Sequence, residues 1–237
     1  RQRQMCIRDS FKGVSHTAKV FVDDKFVCEH YNAFTQFEAV VKNLPSGVHK
    51  LSVLVDNSFS EASALHVEND YQSYGGISRG VMIEQLPKHY IKQLHFTPVC
   101  KDDTWYAQLE LVIASLDGKP WKGKVSVSLK GCDDVNENVL YTQSCSTGAG
   151  ELVLKSDLIA CENAKPWAPE HPTLYMLSAQ LEDEDGKVID DLIDRVGFRE
   201  VRTQGKDILL NGKKLQIKGF CRHEDHPQFG CALPLSA

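Results

Sequence analysis

Apolar and polar side chains alternate with a period of two along most of this chain. Val20-Phe21-Val22 and Phe26-Val27 flank Asp23-Asp24-Lys25, which predicts two strands joined by a tight turn. Leu51, Val53 and Val55 alternate with Ser52, Leu54 and Asp56, and Leu109, Leu111 and Ile113 with Gln108, Glu110 and Val112. Val125, Val127 and Leu129 are spaced by Ser126 and Ser128; Tyr175, Leu177, Ala179 and Leu181 are spaced by Met176, Ser178 and Gln180. Each run can turn one face to a core and the other to water. Helical i, i+3, i+4, i+7 spacing of useful length is missing. The chain reads as mostly β.

Short strands and polar turns at regular spacing predict sandwiches. A seam is expected from His95 to Asp103, with Ile91 to Thr97 as the last strand before it. The hundred or so residues from the seam to Arg199 suit an immunoglobulin-like sandwich, although the cysteines do not reproduce the Cys…Trp…Cys pattern of antibody domains. Pro166-Trp167-Ala168-Pro169 reads as a rigid connection, with Trp167 expected to cap the core. Beyond Arg199, Ile208 to Ile217 reads as a hairpin around Asn211-Gly212, the dipeptide a type I′ turn favours. The opening ten residues, Arg1 to Ser10, are polar and unpatterned, and are set aside as a foreign stretch.

Composition narrows the function. The 237 residues are 42% apolar and 25% charged, ordinary for a globular protein. A net charge of −5 disfavours a surface for nucleic acid, which needs clustered Lys and Arg. No run of about 18 apolar residues is present, so no membrane helix is expected. The eight cysteines contain no CxxC pair, and free thiols in a reducing cytoplasm are the expected state.

Two constellations carry candidate chemistry. Cys221-Arg222-His223-Glu224-Asp225-His226-Pro227 crowds titratable groups directly behind an apolar strand. It fits a solvated turn. It also fits a metal site built from His223, His226 and Cys221 or Cys231, or the end of a barrel strand, where a guanidinium, an imidazole and carboxylates bind hydroxyls. The second stretch runs Glu68-Asn69-Asp70-Tyr71-Gln72-Ser73-Tyr74-Gly75-Gly76. It fits a plain loop, or one offering Asp70 and aromatic faces to a sugar.

Four ordered motifs together resemble glycoside hydrolase family 2, the β-glucuronidases and β-galactosidases. They are Val14-Ser15-His16-Thr17-Ala18-Lys19-Val20-Phe21-Val22-Asp23; Gly75-Gly76-Ile77-Ser78-Arg79-Gly80-Val81; Trp167 to Tyr175 with Arg195-Val196-Gly197-Phe198-Arg199; and Leu210-Asn211-Gly212-Lys213 through Lys218-Gly219-Phe220-Cys221-Arg222-His223-Glu224-Asp225-His226-Pro227. The resemblance implies an N-terminally incomplete jelly-roll sugar-binding domain over 11–94 and an immunoglobulin-like sandwich over 95–199. The first strand of a truncated (β/α)8 barrel would follow over 200–237. It implies substrate contacts from Asp70, Arg222, His223 and Glu224, with Asp70 reaching either a sugar hydroxyl or a bound cation.

The family retains configuration by means of two glutamates, and both are expected on later barrel strands. A barrel needs about 250 residues, so neither glutamate is expected in the chain. The expectation is therefore an internal fragment, inactive alone, of a cytoplasmic, homo-oligomeric hydrolase of terminal β-glycosides. β-Glucuronides are its first expected substrate and β-galactosides the alternative, with no cofactor and no metal. A non-catalytic sugar-binding protein is the competing reading. Leu215, Ile217 and Phe220 are expected to be exposed for want of a barrel to cover them.

Overall fold

The computed structural model describes residues 5–58, 74–132, 137–148, 150–221 and 225–234, all of them strand, turn or irregular, with no helix. They form two compact units. One comprises the described residues up to Leu86 together with those from Gly219 onward; the other is Pro87–Lys218.

The first unit contains β1 (Met5–Phe11), β2 (Val14–Ser15), β3 (Thr17–Val22), β4 (Lys25–Tyr31), β5 (Phe37–Leu44), β6 (Leu51–Asp56), β7 (Gly76–Ile77) and β8 (Val81–Leu86). They make one sheet in the order β5-β1-β8, a second in the order β4-β3-β6, and the small pair β2-β7. Phe11, Val14, Ala18, Val20, Phe37 and Ala39 from these sheets share one core, with Val53 and Val55 packed against it. The turn predicted at Asp23-Asp24 is present, both residues having positive φ (49° and 61°), as a type I′ hairpin requires.

Part of the stretch set aside at the start is folded. Met5 to Ser10 belong to β1, the central strand of its sheet, paired with β5 and β8. Backbone pairing needs no side-chain alternation, so the unpatterned sequence concealed it. The side chains fit less well. Arg8 is paired with Glu84 and Glu38, but Asp9 is 1% exposed and both its carboxylate oxygens lack partners.

The second unit contains β9 (His89–Lys101), β10 (Thr104–Ser115), β11 (Trp121–Gly131), β12 (Asn138–Thr147), β13 (Glu151–Lys155), β14 (Ile159–Ala160), β15 (Tyr175–Asp183), β16 (Val188–Val196), β17 (Val201–Gln204), β18 (Asp207–Leu210) and β19 (Lys213–Lys214). One sheet joins β9, β10, β13 and β14; another runs β12-β11-β15-β16. Leu109, Leu111 and Ile113 of the first sheet meet Val125, Val127, Leu129, Leu177, Ala179 and Leu181 of the second in a single core. These are the positions that the alternation assigned to an inner face, and the unit is a β-sandwich.

Three expectations need correction here. The seam near His95 is not one: β9 runs through it unbroken and pairs with β10 from Lys101 to His89. The polar cluster is the hairpin turn Asp102-Asp103, whose φ values are 48° and 60°, and the division between units falls at Leu86/Pro87. The Asn211-Gly212 turn is formed, with φ of 49° and 75°, but β17, β18 and β19 belong to the sandwich unit rather than to a separate domain beginning at residue 200. Asn211 explains why: its Oδ1 accepts the Glu200 amide and its Nδ2 donates to the Trp167 carbonyl, each at 2.9 Å. Trp167 itself does not cap the core. Its half-buried ring lies under the Arg199 guanidinium, while Phe198, fully buried, is ringed edge-on by Phe96, Trp105 and Tyr175.

Past β19 the pairing stops, because Leu215 closes the hairpin through its amide to Ile208 O at 2.8 Å. Ile217 and Phe220 are exposed, as expected, while Leu215 is half-buried.

Candidate sugar-binding site

Asp70, Arg222, His223 and Glu224 all lie outside the described residues. The described residues on either side of them define the frame of the candidate site, and all of that frame belongs to the first unit.

The stretch containing Asp70 leaves β6 and returns at β7. At its start, Asp56 accepts the amide of Ser58 at 2.8 Å, and this bonding to Ser58 holds the Asp56 carboxyl below its ordinary value. His16, 4% exposed, places Nε2 3.2 Å from the Ser58 carbonyl and Nδ1 3.0 Å from Thr17 Oγ1. At the other end, Ile77 and Gly76 pair with Val14 and Ser15, and the amides of Ser78 and Arg79 both donate to Gly13 O. Gly75 rests so closely on Asn57 that a Cβ there would come within 2.8 Å of its side chain. The Gly75-Gly76 motif is thus a clasp that closes the two ends of this stretch onto residues 13–16. Sequence reasoning missed His16. Its signal was a lone imidazole within the first of the four motifs, Val14 to Asp23.

The second candidate stretch ends in a tight turn. His226 N donates to Gly230 O at 3.0 Å and Gly230 N returns to His226 O at 2.8 Å. The His226 ring stacks on Phe229 with centroids 5.0 Å apart, and its Nδ1 accepts the Gln228 amide at 3.2 Å. That ring nitrogen is therefore engaged within the turn, which leaves only Nε2 for the metal reading. Among the described residues no cluster of His, Cys, Asp and Glu is arranged to hold a metal ion.

The two stretches meet. The Tyr74 hydroxyl donates to Asp225 Oδ1 at 2.6 Å across 151 positions of sequence. This bond and the nearby carboxylate charge keep the Tyr74 hydroxyl protonated above its ordinary range. Gly230, at φ +55°, lies against the Tyr74 ring, and a Cβ there would sit 3.0 Å from ring carbons.

The sandwich unit has a groove of about 1090 Å³ bordered by Cys132, Glu162, Asn163, His171, Tyr175 and Arg195. Glu162 is the single carboxylate among its described lining residues.

Comparison with known proteins bears on these motifs. The profile of Glycosyl hydrolases family 2 matches residues 89–199. A β-galacturonidase from Eisenbergiella tayi, solved with galacturonate bound, is 51% identical over the whole of this chain, with a TM-score of 0.87; this chain covers 41% of it. A β-galactosidase of Streptococcus thermophilus is 30% identical over 93% of this chain and 21% of its own length. A β-glucuronidase of Bacteroides fragilis is 28% identical over 94% of this chain and 33% of its own. The chain thus spans less than half the length of each relative. Both the profile match and half-identity to a solved member across every residue lead to one assignment: the chain belongs to glycosyl hydrolases family 2.

Proposed function

We propose that the chain is the sugar-binding and sandwich portion of a retaining β-uronidase, an enzyme that removes a terminal uronic acid from β-glycosides. The observation that carries this reading is the 51% identity with a β-galacturonidase bound to galacturonate. Two relatives named β-galactosidase stand at 29% and 30% identity. In this reading the first unit up to Leu86 corresponds to the jelly roll, the second unit to the immunoglobulin-like sandwich, and the part of the first unit from Gly219 onward to the start of the barrel.

In this mechanism a glutamic acid protonates the glycosidic oxygen while a glutamate about 5–5.5 Å away attacks the anomeric carbon. Water then releases the covalent sugar, with the first residue acting as base. Neither role is assigned within the chain. Asp70 and Glu224 supply acceptors for sugar hydroxyls, Arg222 supplies donors, and His223 either. A uronate differs from a galactose by a carboxylate, which a planar guanidinium recognises in a bidentate fashion.

The test is hydrolysis by the full gene product of p-nitrophenyl β-D-galacturonide, β-D-glucuronide and β-D-galactoside. The account expects a uronide to be cleaved with kcat/KM at least about 100-fold above that of the galactoside. Preference for the galactoside supports the galactosidase reading, and binding of glycans without cleavage supports the non-catalytic one.

A further inference from the structure

We infer that the groove of the sandwich unit is a binding site for an oligosaccharide that carries uronic-acid carboxylates. The choice of a uronate rests in part on the uronidase reading, whereas the groove itself stands on contacts within one unit.

The groove is preformed. Leu140, Ile159 and Tyr175 line it and at the same time pack against the sandwich core, so its apolar wall moves only if the core does. The backbone between β14 and β15 is tied down along its length. Cys161 N donates to Trp105 O at 2.8 Å, Ala164 N to Cys161 O at 3.0 Å, and Cys132 N to Leu174 O at 3.3 Å. The Tyr175 ring meets Phe198 edge-on, with centroids 5.2 Å apart, and its hydroxyl accepts the Lys165 amide at 2.7 Å. A ligand entering such a groove loses little affinity to ordering the protein.

Size and chemistry then select the ligand. A volume of about 1090 Å³ slightly exceeds the roughly 300–1,000 Å³ of small-molecule clefts, so there is room for more than one sugar ring. Lys165, His171 and Arg195 line the groove and are exposed. Among the described residues neither Lys165 nor Arg195 is paired with a carboxylate. An uncommitted ammonium and guanidinium facing one groove suit an anion, and the guanidinium fork matches a planar carboxylate. Asn163 and the Tyr175 hydroxyl, whose proton is left to donate, serve the uncharged hydroxyls of the same ligand. Apolar wall, hydroxyl partners and cations together describe a sugar acid better than a phosphate or a simple apolar compound.

Cys132 gives the site its own reporter, because it borders the groove and is exposed. In the full gene product, alkylation of Cys132 by iodoacetamide is followed by mass spectrometry, with the exposed Cys221 as the comparison thiol. The probes are α-linked trigalacturonate, which a β-uronidase does not cleave, its methyl ester, and galactotriose. Trigalacturonate should slow alkylation of Cys132 at least about fivefold, since a covered thiol cannot be reached. The methyl ester and galactotriose, which lack the charge, should need about tenfold more to protect equally. Lys165→Ala and Arg195→Ala should each raise the half-protecting concentration of trigalacturonate about threefold to tenfold. Arg195→Lys, which keeps the charge and loses the fork, should fall between. Both side chains are exposed, so these variants fold as the wild type does. No protection of Cys132, protection confined to Cys221, or equal protection by the neutral probes overturns the site. So does a Cys132 that is already unreactive without ligand, because the groove is then covered. None of these readouts involves hydrolysis: if Cys132 is protected and no uronide is cleaved, the groove stands and the uronidase reading falls.

Discussion

Asp190 on β16 accepts the backbone N–H of Ile91 on β9 at 2.7 Å, linking residues 99 positions apart. β9 bulges here: the register with β10 skips Lys92 between Gln93 and Ile91. Ile91 is 2% exposed, so an amide that loses its carboxylate has little access to water. Asp190→Ala should cost about 1–3 kcal/mol, read as a lower urea midpoint. An unchanged midpoint would mean that another acceptor takes over.

Gly123 shows where packing alone dictates the residue. A Cβ at this position would collide with the carbonyl oxygen of Glu182 and with the ring of Trp121, and the strand is paired on both sides, with Cys145 and Asp183 opposite. Gly123→Ala should destabilise by about 1–3 kcal/mol through overpacking. Gly148, with open space around its Cβ position, serves as the neutral control. Equal melting temperatures for the two alanine variants would refute this.

Asp9 should be replaceable with benefit. Burial pushes its carboxyl above the ordinary value of 3.8, and no partner offsets the cost. A carboxyl bound more tightly to its proton in the folded state favours folding below pH 3.8. That contribution is lost as pH rises through the raised value. Asp9→Leu should therefore raise the melting temperature at pH 7 and flatten its fall between pH 4 and neutrality. A lower melting temperature at pH 7 would show that Asp9 is stabilised by a contact beyond its burial.

The turn between β3 and β4 carries the clearest pH signature. His49 Nδ1 donates to Asp23 Oδ2 at 2.7 Å, and the Lys50 amide donates to Asp23 Oδ1 at 3.0 Å. The bond to Asp23, aided by the Pro45 carbonyl, holds the His49 proton above the ordinary value of 6.5. The Lys50 amide, then His49, lower Asp23 below 3.8. The histidine contribution is full below pH 6.5 and lost as pH rises past the raised value, whereas the aspartate contribution is full above 3.8 and lost as pH falls through the lowered one. The turn is therefore held best between these limits. An NMR titration should move His49 down towards 6.5 in Asp23→Asn; an unmoved titration contradicts the pairing.

Local chemistry was legible from sequence and long-range chemistry was not. The positive-φ turns at Asp23-Asp24 and Asn211-Gly212, and the inward faces of β10, β11 and β15, follow from residue type and spacing alone. The domain seam was misjudged because polar residues such as His95 and Lys101 occur within a strand whose outer face is wet. β1 was overlooked because backbone pairing leaves no mark on side-chain pattern. His16 on Ser58 and Tyr74 on Asp225 are pairings of single side chains across 42 and 151 positions, for which no periodicity exists. The family motifs delimited the candidate site, and in the most conspicuous of them Gly75 packs on Asn57 while Gly76 pairs with Ser15.

The proposed function makes this chain part of a β-uronidase that retains configuration. The most direct test is proton NMR of the full gene product during hydrolysis of a β-D-galacturonide, following the anomer released first. The account predicts β-galacturonic acid appearing first and mutarotating later to the α form. First release of the α anomer, or no release of uronic acid at all, would contradict it.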